Sequence, residues 1–302
     1  MNLDTELLHK KFGTNLKFKE NLSKYSWFNL GGPADIFFRP DSIDQLKKFL
    51  KETKDINCKI NILGAGSNTL IRDFGVKGAV IKLSSKFSNI KLIEKNIIEV
   101  GAAALDRKVA DFAKNNDISE MEFLSCIPGS IGGAIIMNSG CYGSDISKIL
   151  LSMKVLDNLG QEKEIKCDEI KFSYRGTDLP KNLIILSAKL KGITSSKELI
   201  EKKQDELVKK KKISQPSQIK TGGSTFKNNN AKKAWMLIKE SGCDKFFVGN
   251  AKISSKHCNF FVNDGEAKSS DMETLIKKVQ KEVKTKTGVS LELEIKIIGN
   301  EK

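Results

Sequence analysis

The chain has 302 residues, of which 39% are hydrophobic and 29% charged; these values are typical of a folded protein and exclude a disordered one. That length suits two or three domains better than a single core. The net charge of +15 favours anionic partners, but the lysines are scattered and only 7% of residues are aromatic, so no nucleic-acid-binding patch is indicated.

Cysteine, histidine and hydropathy patterns limit the function classes further. None of the six cysteines stands in a C-x-x-C pair, and His9 and His257 complete no ligand pattern, so we expect free thiols and no metal. The N-terminal sequence has acidic residues and no apolar segment typical of a signal peptide. No run of 18 apolar residues predicts a membrane span. We therefore expect a cytoplasmic protein without membrane insertion.

In chain order, the pattern predicts short strands interrupted by helices. The expected helices cover residues 3–24, 42–54, 104–116, 195–212, 231–241 and 270–287, the last ending at Gly288 as a C-terminal cap. The expected strands cover 36–40, 58–63, 79–83, 88–93, 96–100, 151–157, 162–166, 183–191, 259–263 and 290–298. Because strands and helices do not alternate regularly, the sequence predicts an α+β fold.

A first glycine-rich loop, Gly64-Ala65-Gly66-Ser67-Asn68, directly follows a predicted strand. Glycines there allow the backbone to approach a diphosphate and to turn N–H groups towards it. Thr69 stands where the dinucleotide fingerprint G-x-G-x-x-G needs its third glycine, so this is not a Rossmann loop. A diphosphate site and a purely structural turn both remain open.

A second glycine-rich loop covers residues 126–143 and includes Pro128-Gly129-Ser130-Ile131-Gly132-Gly133-Ala134. Five of the fifteen residues from 129 to 143 are glycine, which is costly in folding entropy. Close packing against a flat ligand would explain this density, and a tight buried turn is the alternative. Two such loops, about 60 residues apart in the chain, could hold one extended cofactor.

Seven segments in a fixed order resemble the UDP-N-acetylenolpyruvoylglucosamine reductase family, over residues 25 to 299. The ordered set carries the resemblance, since any single segment could arise by chance. The segments are Asn29-Leu30-Gly31-Gly32-Pro33-Ala34, the loop from Gly64 to Asn68, Ile127 to Ala134, Tyr174-Arg175, Gly223-Ser224-Thr225-Phe226-Lys227-Asn228, Ser255-Lys256-His257-Cys258-Asn259-Phe260 and Leu291-Glu292-Leu293-Glu294-Ile295.

The resemblance implies an FAD-binding fold of the vanillyl-alcohol-oxidase (PCMH) type, followed by an α+β substrate-binding domain. We expect FAD-binding subdomains at 1–80 and 81–200 and the substrate-binding domain at 201–302. The short stretch between Arg175 and Ser224 resembles the compact second form of the family, which lacks a tyrosine-bearing insertion. No histidine stands near either loop, so FAD is expected to bind non-covalently.

The family's reaction is the NADPH-dependent, FAD-mediated reduction of UDP-N-acetylglucosamine enolpyruvate to UDP-N-acetylmuramate in peptidoglycan synthesis. The implied partners are NADPH and the UDP-linked enolpyruvyl sugar, and we expect a monomer. The implied cofactor-binding residues are Gly64, Ala65, Gly66, Ser67, Asn68, Pro128, Gly129, Ser130, Gly132, Gly133 and Ala134.

The resemblance implies three catalytic residues. Arg175 would hold the substrate carboxylate, since its planar guanidinium binds carboxylates bidentately; without the resemblance, a surface ion pair is the simpler interpretation. Ser224 would protonate carbon, although a serine hydroxyl needs charged neighbours to act as an acid. Glu294 would donate a hydrogen bond if burial kept it protonated. Glu292 shares its face in a regular strand, so only the family pattern selects Glu294.

Tyr174, Lys227 and Asn228 are implied substrate contacts, and the sequence leaves open which of Lys227, Asn228 and Lys296 meets the diphosphate. The main alternative is another FAD-dependent oxidase or dehydrogenase of the same fold. A nucleic-acid-binding protein is the alternative from a different class, and a strongly salt-dependent affinity for DNA would favour it.

Overall fold

A computed structural model describes residues 5–55, 58–229 and 232–301. Residues 3, 4 and 231, at the starts of two predicted helices, lie outside the described residues. The helices are α1 Thr5–Phe12, α2 Ile43–Asp55, α3 Asp106–Asn115, α4 Ile131–Ile136, α5 Lys197–Ser214, α6 Ala234–Glu240 and α7 Ser269–Thr287. None of the helices in the described ranges has the length and apolar character needed to cross a membrane.

Most strands are short. They are β1 Leu16–Asn21, β2 Pro33–Phe38, β3 Ile60–Ile62, β4 Thr69–Ile71, β5 Val76–Ile81, β6 Ile90–Glu94, β7 Ile97–Gly101, β8 Ile118–Ser119, β9 Gly140–Cys141, β10 Ser144–Asp145, β11 Leu150–Leu156, β12 Glu162–Lys166, β13 Phe172–Ser173, β14 Gly176–Thr177, β15 Ile184–Lys191, β16 Ile193–Thr194, β17 Thr221–Ser224, β18 Phe247–Val248, β19 Ala251–Ile253, β20 Phe260–Asn263 and β21 Lys296–Ile298.

The chain divides into two compact units. Unit 1 comprises residues 1–18, 36–65 and 78–211, and unit 2 comprises residues 19–35, 66–77 and 212–302. Because each unit draws on separated stretches of sequence, neither corresponds to one continuous segment. The division of the chain at residues 80 and 200 that the sequence suggests stays a prediction.

Unit 1 contains an antiparallel sheet in the order β12-β11-β15-β7-β6. Successive side chains of β7 alternate between buried and half-buried positions. Ile98 and Val100 are fully buried and belong to one core with Val109 of α3 and Ile131 of α4. A second sheet, in the order β1-β2-β5-β3, contributes its buried side chains to another core in this unit. There the rings of Phe38 and Phe49 stack at 4.2 Å.

Unit 2 contains an antiparallel sheet in the order β17-β20-β19-β18. Its core includes Phe226, Phe261 and Met272 of α7, all fully buried. Helix α7 ends as expected at Gly288, whose φ of 73° is left-handed and whose N–H bonds the carbonyl of Lys284. The parallel pair β21-β4 belongs to the same unit.

Two predicted elements differ from the structure. The predicted helix over 3–24 ends at Phe12, because Gly13 has a φ of 55° and β1 then begins at Leu16. The predicted strand over 290–298 is also wrong as one element, since only Lys296–Ile298 is a strand. Leu293 forms an isolated bridge with Phe226, whereas Lys296–Ile298 pairs with β4. The chain therefore changes its pairing partner between Leu293 and Lys296.

Candidate active site

The second glycine-rich loop is hydrogen-bonded to the segment between β7 and α3. Leu105 and Ser130 form an antiparallel bridge, and the N–H groups of Ile131 and Gly132 donate to Ala104 at 3.0 Å and Ala102 at 2.9 Å. A Cβ added to Gly132 would lie 3.2 Å from the Cβ of Ala102. Gly132 therefore permits a close backbone approach that fixes the start of α4.

The two glycine-rich loops meet within unit 1. A Cβ added to Gly64 would lie 2.9 Å from Oγ of Ser130, so the absence of a side chain at Gly64 keeps the loops in contact. The N–H of Ser130 has no acceptor in the part of the chain that the structure describes, while the backbone of Gly129 interacts with the carboxyl of Asp106. Paired loops with a close backbone approach are a suitable cradle for the anionic part of a dinucleotide.

Lys82 adds a positive charge to this cradle. Its ammonium Nζ donates to the carbonyl oxygen of Gly64. Burial, together with the charge of Arg39, lowers the pKa of Lys82 to about 8. Arg39 follows β2 and Lys82 follows β5, two neighbouring strands of one sheet. The only signal of this pair in the sequence is a basic residue directly after each of two strands, which is too common a pattern to indicate a site.

Asp106 is a second site residue that no pattern in the sequence indicates. Its carboxyl is fully buried; the backbone of Gly129 interacts with it, but no side chain of the described residues hydrogen bonds to either oxygen. Burial raises the pKa of Asp106 well above its usual range, which favours a neutral carboxylic acid. Oδ2 faces the second loop, 2.5 Å from where a Cβ on Gly129 would lie. A substituted side chain at Gly129 would therefore displace Asp106.

The remainder of the first loop lies in unit 2. Gly66 has a φ of 72°, and a Cβ there would overlap the carbonyl oxygen of Tyr25. Asn68 donates from Nδ2 to the carbonyl of Glu294 at 3.0 Å, and its own carbonyl accepts from Lys296 at 2.9 Å. Gly66 is thus required by the turn itself, while Asn68 connects the loop to the last segment of the chain.

Arg175 and Tyr174 form the turn of the short hairpin β13-β14. Arg175 has a φ of 59°, in the left-handed region that is uncommon for a residue with a side chain. Its guanidinium donates to the carbonyl of Gly140 at 2.8 Å and lies 5.0 Å from the ring centre of Tyr174. The tyrosine ring is half exposed. An uncommon backbone conformation that fixes an arginine beside an aromatic ring is typical of a functional position.

Ser224 ends β17 in unit 2. The register of β17 against β20 shifts between Thr221 and Ser224, and Gly223 has a φ of 79°. Such irregularities redirect the following side chain. The N–H of Glu294 donates to the carbonyl of Thr225 at 2.8 Å, so the structure brings the segments of Ser224 and Glu294 side by side.

The two glutamates of the last segment differ in their environments. Glu292 is exposed and lies 3.7 Å from the ammonium of Lys227, whereas Glu294 is half-buried. The expectation that they share one face of a regular strand is therefore wrong, because no regular strand joins them. The side-chain oxygen of Asn228 accepts at 3.0 Å from the N–H of Ala234, the first residue of α6.

Sequence and structure comparisons give consistent matches. A family model described as an FAD binding domain matches residues 34–166, and one described as the C-terminal domain of UDP-N-acetylenolpyruvoylglucosamine reductase matches residues 215–298. A UDP-N-acetylenolpyruvoylglucosamine reductase of Pelagibacter ubique is 47% identical, covering 95% of this chain and 96% of its own. The corresponding protein of Gluconobacter oxydans is 42% identical, covering 92% and 90%.

A solved structure extends the similarity to three dimensions. The crystal structure of UDP-N-acetylenolpyruvylglucosamine reductase from Thermus caldophilus matches with a TM-score of 0.82 and 31% identity. The match covers 94% of this chain and 98% of that one. The similarity therefore extends over both units and both glycine-rich loops.

Proposed function

The chain belongs to the UDP-N-acetylenolpyruvoylglucosamine reductase family, and from that premise we propose which residues bind and which react. It is an FAD-containing oxidoreductase that reduces UDP-N-acetylenolpyruvoylglucosamine in peptidoglycan synthesis. The predicted FAD-binding domain and the C-terminal domain of the family are confirmed. Sequence boundaries at residues 80 and 200 remain part of the proposal.

The glycine-rich loops are suited to hold FAD non-covalently. Gly64, Gly129 and Ser130 supply a close backbone approach, and Lys82 supplies a cation beside Gly64. Together they would bind the diphosphate, with Ala65 and Ala134 in the same two loops. When bound, FAD supplies the hydride that reduces the enolpyruvyl double bond. We infer NADPH as the reductant of the flavin, on the family's reaction.

Arg175 and Ser224 have distinct roles in the proposal. Reduction of the outer carbon leaves negative charge that spreads into the substrate carboxylate. Arg175 would bind that carboxylate bidentately, with its guanidinium oriented by the carbonyl of Gly140 and the ring of Tyr174. Ser224 would give its hydroxyl proton to the inner carbon, and the ammonium of Lys227 would stabilise the alkoxide that forms.

Glu294 would donate a hydrogen bond to the charged substrate, since it is half-buried while Glu292 is exposed. One observation carries these assignments: irregular β17 ends at Ser224, and the main chain of Glu294 bonds the next residue, Thr225. Asn228 and Lys227 would contact the UDP group. A monomeric state and a location in the cytoplasm are part of the same proposal.

Anaerobic visible spectra of the FAD-loaded protein test the proposal. NADPH should bleach the flavin band, and the UDP-linked enolpyruvyl sugar should restore it. Ser224→Ala should keep the bleaching step but slow the return by about 10²-fold or more, the usual contribution of a positioned acid. Ser255→Ala, at an exposed position, is the matched control.

The outcomes separate the claims. A flavin that bleaches with NADPH but never returns with the sugar would contradict the substrate. A return at the original rate in Ser224→Ala would leave the substrate in place and remove Ser224 as the proton donor. Failure of NADPH to bleach the flavin, with dithionite still effective, would contradict the reductant alone.

A further inference from the structure

Asp106, the first residue of α3, is buried beside the second glycine-rich loop within unit 1. No side chain of the described residues hydrogen bonds to either of its carboxyl oxygens. Asp106 does not act as a cap either, since the start of α3 has no side-chain cap. A buried carboxyl without such partners lowers the stability of a folded protein, so its presence calls for a reason other than stability.

The carboxyl of Asp106 faces Gly129 of the second loop. Oδ2 lies 2.5 Å from where a Cβ on Gly129 would stand, so the oxygen occupies the space that a side chain would take. The N–H of Asp106 donates to the carbonyl of Gly129 at 3.2 Å, and Leu105 forms an antiparallel bridge with Ser130. Both main-chain and side-chain contacts therefore hold Asp106 against this part of the loop.

The main-chain N–H groups of this part of the loop differ in what they contact. Those of Ile131 and Gly132 donate to carbonyls of the segment between β7 and α3. The N–H of Ser130 has no acceptor within the ranges that the structure describes. The orientation of the peptide between Gly129 and Ser130 decides where that N–H points, and Asp106 lies against Gly129 on the buried side of the loop.

We propose that Asp106 is a positioning residue for FAD, whose buried carboxyl fixes the peptide between Gly129 and Ser130 so that the N–H of Ser130 is directed at the cofactor's diphosphate. This inference rests on the proposed contact between the second loop and FAD. Burial raises the pKa of Asp106, which favours a neutral acid that does not repel the diphosphate. The stability lost by burying the carboxyl is then offset when the cofactor binds.

Cofactor affinity and stability, measured on the same variants, test the proposal. Asp106→Leu replaces the carboxyl oxygens by methyl groups, and Asp106→Ala removes the carboxyl without adding an atom. In both variants the affinity for FAD, from fluorescence titration of the FAD-free protein, should fall about tenfold or more, the effect of losing one hydrogen bond to a charged group. The urea midpoint of FAD-free Asp106→Leu should stay the same or rise, because an apolar side chain replaces a buried polar one.

Asp106→Asn is the conservative variant that should restore binding. It keeps the shape of the side chain and one carbonyl oxygen, so its affinity for FAD should stay within about threefold of that of the unsubstituted protein. Asp111→Leu, at a half-buried position of the same helix, is the matched control and should bind FAD normally. Gly133→Ala reports separately on whether the second loop contacts FAD.

The outcomes distinguish the role of Asp106 from that of the loop. An unchanged affinity in Asp106→Ala and Asp106→Leu, with Gly133→Ala weakened, would overturn the role of Asp106 and leave the loop as a cofactor site. An unchanged affinity in all three variants would also remove the contact between the loop and FAD. A parallel loss of affinity and urea midpoint in all the Asp106 variants, Asp106→Asn included, would make Asp106 a structural residue and overturn the proposal.

Discussion

Gly66 in the first glycine-rich loop and Gly133 in the second occupy different surroundings. Gly66 has a left-handed φ, and a Cβ would overlap the carbonyl oxygen of Tyr25. Gly133 lies within α4 and is exposed, and a Cβ would meet only Oγ of Ser130, at 3.8 Å. The backbone therefore requires glycine at Gly66, whereas within the described residues nothing in the protein requires it at Gly133. A bound ligand is the remaining physical reason for a glycine there.

The largest expected effect is the loss of stability in Gly66→Ala. The substitution combines a left-handed φ with a steric overlap against backbone, which cannot move as a flexible side chain can. We expect the free energy of unfolding to fall by at least ~3 kcal/mol, measured by urea unfolding of the FAD-free protein.

Gly143→Ala is the matched control for that prediction. Gly143 has a φ of 88°, but a Cβ there would have no neighbour within 4 Å. It should therefore report the conformational cost alone, about 1 kcal/mol. Equal losses in the two variants would mean that the overlap with Tyr25 relaxes freely, and the contrast between the loops would then lose its main support.

Gly133→Ala should show the opposite behaviour. Alanine is favoured over glycine inside a helix, so the free energy of unfolding without FAD should stay the same or rise by up to ~1 kcal/mol. The affinity for FAD, measured by fluorescence titration of the FAD-free protein, should fall about tenfold, equivalent to ~1.4 kcal/mol. An unchanged affinity would show that Gly133 does not face the cofactor.

The same contrast explains what the sequence could predict. The clustered glycines located both loops, because glycine is favoured where the backbone closely approaches another part of the chain or a ligand. It did not reveal whether that neighbour is backbone, as at Gly66, or a ligand. Lys82 and Asp106 were missed for a related reason: their importance comes from burial beside a loop distant in sequence, which no local pattern records.

The site residues show the same limit. The assigned roles of Arg175, Ser224 and Glu294 came from the family resemblance, and no periodicity indicated them. The left-handed φ of Arg175 and the register shift before Ser224 are tertiary features. The last segment was misassigned because alternating Leu and Glu predict a regular strand, while the structure gives that segment two successive pairing partners.

The smallest expected effect concerns Lys82, whose ammonium bonds the carbonyl of Gly64 in the first loop. It tests the contribution of this cation apart from that of the glycines. Burial and the charge of Arg39 lower the pKa of Lys82 to about 8, so its charge is disfavoured in the folded protein without FAD. That cost is present below pH 8 and is relieved between pH 8 and the ordinary pKa of lysine, near 10.5. Lys82 should therefore contribute a rise in the free energy of unfolding across this interval.

The affinity for FAD should change with pH in the opposite direction to the free energy of unfolding, because the charged ammonium of Lys82 attracts the diphosphate. The affinity should fall a few-fold as pH rises from 7 to 9.5, and Lys82→Met should bind more weakly at pH 7 with a flatter profile. Lys59→Met, at an exposed position, should retain the original slope. Parallel pH profiles in Lys82→Met and the unsubstituted protein would show that the diphosphate does not meet Lys82. In that case the cofactor's charge would have to be balanced elsewhere.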